Sequence, residues 1–263
     1  MNVLYLIIFM MIIIIVFSIQ MYSYKNYQHI VNKNGDYIIY KNFINLCQRN
    51  ELLKSKKLLK ENKLDNNVFN KSKSIVIYFK DFDYLKKICN NYDLNILYDI
   101  STKIIDNSPK KGNYFILNLL EIKPIKSNEY KKYDPDLHYD DSILHIFDKM
   151  KIDKYSDNLL TNNDYKFRPD IVSVLYINKD NCYNGGELDL FKTYTSNHDF
   201  LIDSINENEN NLIYFSGSYY HGVKNYSIER CNNNIANRFS IVIEIYNIKE
   251  SRLNEMINFS DIN

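Results

Sequence analysis

The spacing of apolar positions changes character three times along this chain. From Val3 to Ile19 the run is apolar apart from Ser18, with Tyr5, Phe9 and Phe17 inside it. At a helical rise of 1.5 Å per residue it reaches about 25 Å, against a bilayer hydrocarbon core of about 30 Å. Adding Gln20 to Tyr22 at the interface makes the length adequate and predicts a transmembrane anchor over 1–22. A cleaved signal peptide is the competing reading. No basic segment precedes the run and no small-x-small site follows it, which favours an uncleaved anchor. Lys25 and Lys33 follow the span and nothing basic precedes it, so the positive-inside rule points to a cytosolic domain. With two lysines as its basis, the side of the membrane stays open.

Residues 23–36 are polar and aromatic and read as a stalk. Tyr37-Ile-Ile-Tyr40 has the texture of a strand. A helical period follows from Asn42 through Leu59, with Phe43, Leu46, Leu52 and Leu53 apolar and a lysine-rich opposite face. Residues 71–90 predict a strand at Ile75–Phe79 and then a helix. A further helix is predicted over Leu97–Ile105, ended by Pro109 and Gly112. Residues 37–112 therefore read as a mixed helical support region.

From Asn113 the texture becomes short β-patterned runs broken by turn residues: 114–122, 137–140, 171–177, 186–191, 211–215 and 239–246. Residues 151–165 are rich in Asn and Asp and read as a loop. Short strands at close spacing with few helices among them predict an α+β chain with a mainly β core, built as a sandwich or jelly roll. The core is assigned to 113–250 and a tail to 251–263. Four of the six glycines, Gly185, Gly186, Gly217 and Gly222, fall between Asp140 and the end of the His221 turn. In a chain this poor in glycine they mark tight turns.

Composition adds exclusions. Lys plus Arg number 33 and Asp plus Glu 32, so no global field draws the protein to nucleic acid. The Lys54-Ser55-Lys56-Lys57 cluster reads as a solvated helix face. Heavy use of Asn makes the sequons at Asn70, Asn225 and Asn258 chance products. Cys47, Cys89, Cys182 and Cys231 form no C-x-x-C pair, which argues against structural zinc. Two disulfides and four free thiols both remain compatible with that spacing.

The chemistry lies in His138-x-Asp140, His221 and Arg238. Side chains two apart in a strand share a face, so His138 and Asp140 can chelate one ion with Tyr139 on the other side. Two imidazoles and a carboxylate are the ligand set of a non-haem Fe(II) site with open positions. A downstream guanidinium suits a dicarboxylate, which it grips through two parallel hydrogen bonds. Each piece has an ordinary reading as well. An Asp-rich chain with five histidines produces an H-x-D by accident, and His221 alone would be a turn or core histidine.

The intervening sequence adds a pattern. Tyr176-Ile-Asn178, Gly185-Gly-Glu187, Leu212-Ile-Tyr-Phe215, His221-Gly-Val223 and Arg238-Phe-Ser240 occur in this order. Over roughly residues 114–246 this resembles the Fe(II)/2-oxoglutarate-dependent dioxygenase superfamily, with the prolyl 4-hydroxylase-like branch as the best match. The resemblance implies a double-stranded β-helix (jelly roll); the flanking N-terminal helices and the N-terminal transmembrane helix read above lie outside the part that carries it. It implies iron on His138, Asp140 and His221. It also implies 2-oxoglutarate held by Arg238 with hydrogen bonds from Tyr176 and Ser240. The activity implied is hydroxylation of a C–H bond, a peptidyl proline first among substrates, with 2-oxoglutarate and O2 consumed and succinate and CO2 released. Ascorbate is a further cofactor the resemblance admits.

One spacing departs from the family: sixteen residues separate His221 from Arg238, which makes Arg230 a rival for the carboxylate. Arg238 is preferred because an alternating strand follows it. Along that strand Phe239, Ile241, Ile243 and Ile245 form one face and Arg238, Ser240, Val242 and Glu244 the other. Pattern alone gives the second face to solvent, whereas the resemblance turns it into the barrel. His29, His145 and His198 are given no metal role, with His145 the one to check. Two other function classes compete: a catalytically silent jelly-roll interaction module on a membrane, and a structural or sugar-binding jelly roll with an accidental H-x-D.

Overall fold

Alternation along Ile171–Asn178 explains how the layers form. Val172, Val174 and Tyr176 point to one side, while Ile171, Leu175 and Ile177 point to the other. Both sides are buried, so this is a central strand with a layer on each face. The computed structural model describes residues 11, 28–31, 34–61, 72–122, 133, 137–150, 167–178, 183–193, 200–206, 210–228 and 237–262. The anchor read over 1–22 lies outside them apart from Met11. No helix among the described residues is long and apolar enough to cross a membrane. The loop read over 151–165 and the rival Arg230 also lie outside the described residues.

The main sheet is antiparallel throughout. Its order is β1 (Gln28–Val31), β2 (Tyr37–Lys41), β10 (Leu212–Ser216), β6 (Ile171–Asn178), β13 (Arg238–Tyr246), β5 (Tyr114–Ile122), β4 (Ser72–Phe79) and β14 (Phe259–Ser260), with β3 (Lys60–Glu61) also paired to β4. A smaller sheet orders β11 (Tyr220–Val223), β8 (Leu188–Phe191) and β9 (Leu201–Ile205), and β12 (Tyr226–Ile228) pairs with β7 (Tyr183–Gly185). The chain shuttles between the two sheets: β6 in the main one, β8 and β9 in the smaller, then β10, β11 and β13 back and forth. That is the path of a jelly roll.

Strands from outside residues 113–250 also belong to the main sheet. Residues 28–31, inside the segment read as stalk, form the edge strand β1 against β2. Within residues 37–112, β2 pairs with β10 and β4 pairs with β5 along its whole length, so the region read as support contributes strands to the main sheet. A strand's period is visible locally, but its partner, here up to 183 residues away (Ile77 opposite Ser260), is not.

Helices close the outer face of the main sheet. α1 (Leu46–Lys54) starts four residues later than the period suggests. Asn42 takes a left-handed conformation (φ 55°), and the Asn45 side chain accepts from the Gln48 amide at 2.9 Å while Gln48 reaches back to the Asn45 amide, a capping box. A 3-10 turn at Ser55–Leu58 follows. α2 (Phe82–Asn91) is capped by Asp81, which accepts from the Asp83 amide. α3 (Asn95–Asp106) brings Leu97, Ile100 and Ile104 against Phe239, Ile241, Ile243 and Ile245 of β13, all fully buried. Burying each such isoleucine contributes about 1.5–3 kcal/mol, so this layer fixes β13 firmly. Cys89 of α2 is a buried free thiol that burial pushes up to about 12, and Cys47 is free and exposed.

α4 (Ile143–Met150) does a different job. Ile143, Ile146 and Phe147 bury against Val76, Tyr78, Tyr114, Ile116 and Tyr246, covering the inner face of the main sheet. Between the two sheets lies a third cluster that includes Val172, Val174, Leu188, Leu190, Ile213 and Phe215.

The glycines behave as their positions required. Gly185 and Gly186 have φ of 94° and 88°, a turn side chains rarely adopt. At Gly217, between β10 and β11, a Cβ would stand 2.1 Å from the Pro169 carbonyl oxygen. Gly217→Ala is expected to lower the denaturation midpoint, by about 1–3 kcal/mol of stability. An unchanged urea midpoint would show that the turn relaxes freely.

Candidate metal centre

His138 and His221 face each other across a short antiparallel contact. The His138 amide donates to the His221 carbonyl at 2.9 Å, and the His221 amide returns the bond at 2.7 Å. Residues paired this way project side by side on one face of the ladder, and the two rings lie 4.5 Å apart at 51°. The 137–140 run is therefore a single bridge rather than the strand its alternation suggested. The bridge is enough to align His138 and Asp140. Tyr139 turns away and stacks under the Arg168 guanidinium at 3.9 Å.

Asp140 closes the triangle, with one oxygen 3.7 Å from His138 Nε2 and the other 3.5 Å from His221 Nε2. The three offered ligand atoms all lie within 4.8 Å of one another. Cis ligands bonded at about 2.1 Å stand roughly 3 Å apart, so the two Asp140–histidine distances, 3.7 and 3.5 Å, exceed that spacing by less than about 1 Å. Asp140 Oδ2 is buried and accepts no hydrogen bond from the protein. A buried acceptor left so costs about 1–3 kcal/mol, and a cation between the three groups would remove that cost. His221 Nδ1 lies 3.4 Å from the Tyr219 carbonyl, which selects the tautomer whose Nε2 lone pair faces the triad. Burial lowers the His221 pKa to about 4, against the opposing pull of Asp140, so the ring is neutral near pH 7, the form that ligates. These residues fit a divalent ion of the Fe(II) type.

The pocket around the triad holds about 630 Å³ of atom-free space, counting solvent at its mouth. Arg238, Tyr176 and Ser240 line it together with His138, Asp140 and His221. All three are buried, Arg238 to 3 % exposure. The second face of β13 thus turns inward, away from solvent, against the bare alternation argument. Ser240 pairs with Tyr176, and the register shifts between Phe239 and Ser240, a bulge of the kind that re-aims side chains. The walls are apolar, with Leu120, Val172, Val174, Leu188, Val223 and Val242. Asn118 Oδ1, also in the lining, is a second buried acceptor without a protein partner.

Glu244 was not singled out from sequence. It lines the same pocket, 4 % exposed. It accepts from Ser142 Oγ and from the Tyr246 hydroxyl, both at 2.5 Å. Burial, and after it the charge of Asp140, raises its pKa well above the usual carboxylate range. Its place beside Arg238 and Ser240 on one strand face was the available signal. His145 is not part of the ligand cluster, and His198 lies outside the described residues.

Fold and site together define a jelly roll whose interior carries two histidines and a carboxylate around one cation-sized gap, with an arginine in the same pocket. No family model and no curated protein matches the chain. Among solved structures it superposes on IDO from Bacillus thuringiensis with a TM-score of 0.48 and 13% identity, covering 83% of this chain and 95% of that one. A Pseudomonas putida prolyl-4-hydroxylase gives 0.40 and 13%, covering 81% and 92%. The Fe(II)/(alpha)ketoglutarate-dependent dioxygenase TqaL gives 0.47 and 8%, covering 87% and 91%.

Proposed function

We propose that the protein is an Fe(II)- and 2-oxoglutarate-dependent dioxygenase that hydroxylates a C–H bond, with a peptidyl proline as the substrate. The observation that carries this reading is the convergence of His138, Asp140 and His221 in one pocket that also buries Arg238. His138 and His221 would offer ring nitrogens and Asp140 a carboxylate oxygen, leaving other positions of a bound ion free for ligands from solution. Arg238 opens β13 and presents its guanidinium to the far carboxylate of 2-oxoglutarate. The Tyr176 and Ser240 hydroxyls add hydrogen bonds. Apolar walls from Val172, Val174, Leu188 and Val242 exclude water and strengthen those polar contacts. When bound, the iron supplies the oxygen activation that splits 2-oxoglutarate to succinate and CO2 and places one oxygen atom on the substrate. The polypeptide substrate is inferred from the prolyl 4-hydroxylase-like pattern at Tyr176-Ile-Asn178 and Gly185-Gly-Glu187.

The full-length chain, purified in detergent, is expected to release succinate on addition of Fe(II) and 2-oxoglutarate. A proline-containing peptide should accelerate the release and gain the mass of one oxygen on a prolyl residue. Acceleration by a lysine peptide alone would remove the proline assignment and leave the oxygenase. No succinate under any condition would leave a silent jelly-roll module.

A further inference from the structure

The segment that delivers two of the three triad ligands has little secondary structure of its own. His138 is tied by one bridge, and Asp140 and Asp141 belong to neither sheet nor helix. Three residues later α4 begins, packed on the inner face of the main sheet. What fixes the junction is a pair of side chains on β13. Ser142 donates its hydroxyl to one oxygen of Glu244, and Tyr246 donates to the other. Tyr246 also lies in one buried cluster with Ile143, the first residue of α4. Glu244 and Tyr246 are two apart on β13, so both point inward on the face that also carries Arg238 and Ser240. They are nearly or fully buried, and β13 is clamped between β5 and β6 along its length.

We infer that Glu244 and Tyr246 are positioning residues that set Asp140 and His138 by pinning Ser142 and Ile143 to the strand that carries Arg238. One rigid strand then fixes both the cation-binding triad and the anion grip, and holds the distance between them. A carboxyl group is suited to this task because two oxygens accept from two hydroxyls at once. An apolar residue at 244 would leave Ser142 unpaired. Partners behind metal ligands typically carry about 10–100-fold in metal affinity.

The inference rests on the metal centre proposed above, and Co(II) can probe it without turnover. The full-length protein is titrated with Co(II), and the ligand-field absorption of the bound ion is followed. Ser142→Ala, Tyr246→Phe and Glu244→Gln are compared with Tyr114→Phe. Tyr114 is a buried tyrosine of the same apolar cluster, but its hydroxyl donates to the Ile257 carbonyl, away from the ligand segment. Ser142→Ala and Tyr246→Phe each lose one oxygen and little volume, which guards against misfolding. The three junction variants are expected to bind Co(II) about 10–100-fold more weakly, with an altered band shape. Tyr114→Phe should melt earlier and bind as wild type does. Unchanged affinity in the junction variants, or an equal loss in Tyr114→Phe, overturns the inference while leaving the metal centre in place. A wild-type protein that takes up no Co(II) overturns both.

Discussion

Asp140→Ala should abolish metal binding while leaving the metal-free protein as stable as wild type or more so. The affinity loss should exceed about a hundredfold, since removing partners behind a ligand already costs up to that much. The stability effect has the opposite sign for two reasons. Asp140 Oδ2 is a buried acceptor without a hydrogen bond, so its removal relieves a desolvation cost on the order of 1 kcal/mol. Asp140 also raises the pKa of buried Glu244. A carboxyl whose folded pKa exceeds its ordinary value near 4.5 holds its proton in the fold when the unfolded chain has lost it. Its stabilising contribution is complete below that value and is lost as pH rises toward the folded pKa. Removing Asp140 shrinks the shift, so the stability difference in favour of the variant should widen as pH rises above the ordinary carboxyl value. Melting of the metal-free proteins as pH is raised, with Co(II) titration alongside, tests both halves. A variant that unfolds earlier at every pH would mean Asp140 holds the fold together by contacts not seen in its surroundings.

Arg238→Gln should raise the 2-oxoglutarate concentration for half-maximal succinate release by about 30-fold to more than 1000-fold, with a smaller effect at saturation. Truncating one partner of a buried, hydrogen-bonded charge pair costs about 2–5 kcal/mol, and a guanidinium is hard to replace because it meets both carboxylate oxygens. Arg238→Lys should fall between, keeping the charge and losing the second bond. Arg230→Gln should leave the co-substrate dependence unchanged. If Arg230→Gln raises the requirement and Arg238→Gln does not, the carboxylate belongs to Arg230, and Arg238 is a buried structural cation.

Short β-patterned runs broken by turn residues were enough to read β5, whose ends match the expected 114–122, and to place β6, β10 and β13 within a residue or two. The triad was readable as residue types at a spacing, since H-x-D needs only local backbone geometry to converge. Direction was not readable. Alternation along β13 gives two faces and no means of telling which is interior when one of them carries Arg and Glu. The reason is visible in the structure: the inner face lines a binding pocket, where charge is wanted. α4 was missed although Ile143, Ile146 and Phe147 stand at helical spacing, because the stretch is short and abuts the ligand segment. β9 was missed because Asp203 and Ser204 interrupt its apolar positions. β2 joins the sheet through β10, far along the chain, a relation no local period encodes, and β1 follows it as its hairpin neighbour.

The two-sided character of β13 sets rules for how this sequence can change length. Between Ile228, where β12 ends, and Arg238 residues can be gained or lost without shifting the register of β12 or β13, which accommodates the long segment there. Inside 238–246 a single insertion would exchange the faces C-terminal to it, sending isoleucines into the pocket and Val242 and Glu244 into the helical layer. Indels should therefore be tolerated before Arg238 and purged after it, although both stretches are equally close to the site in sequence.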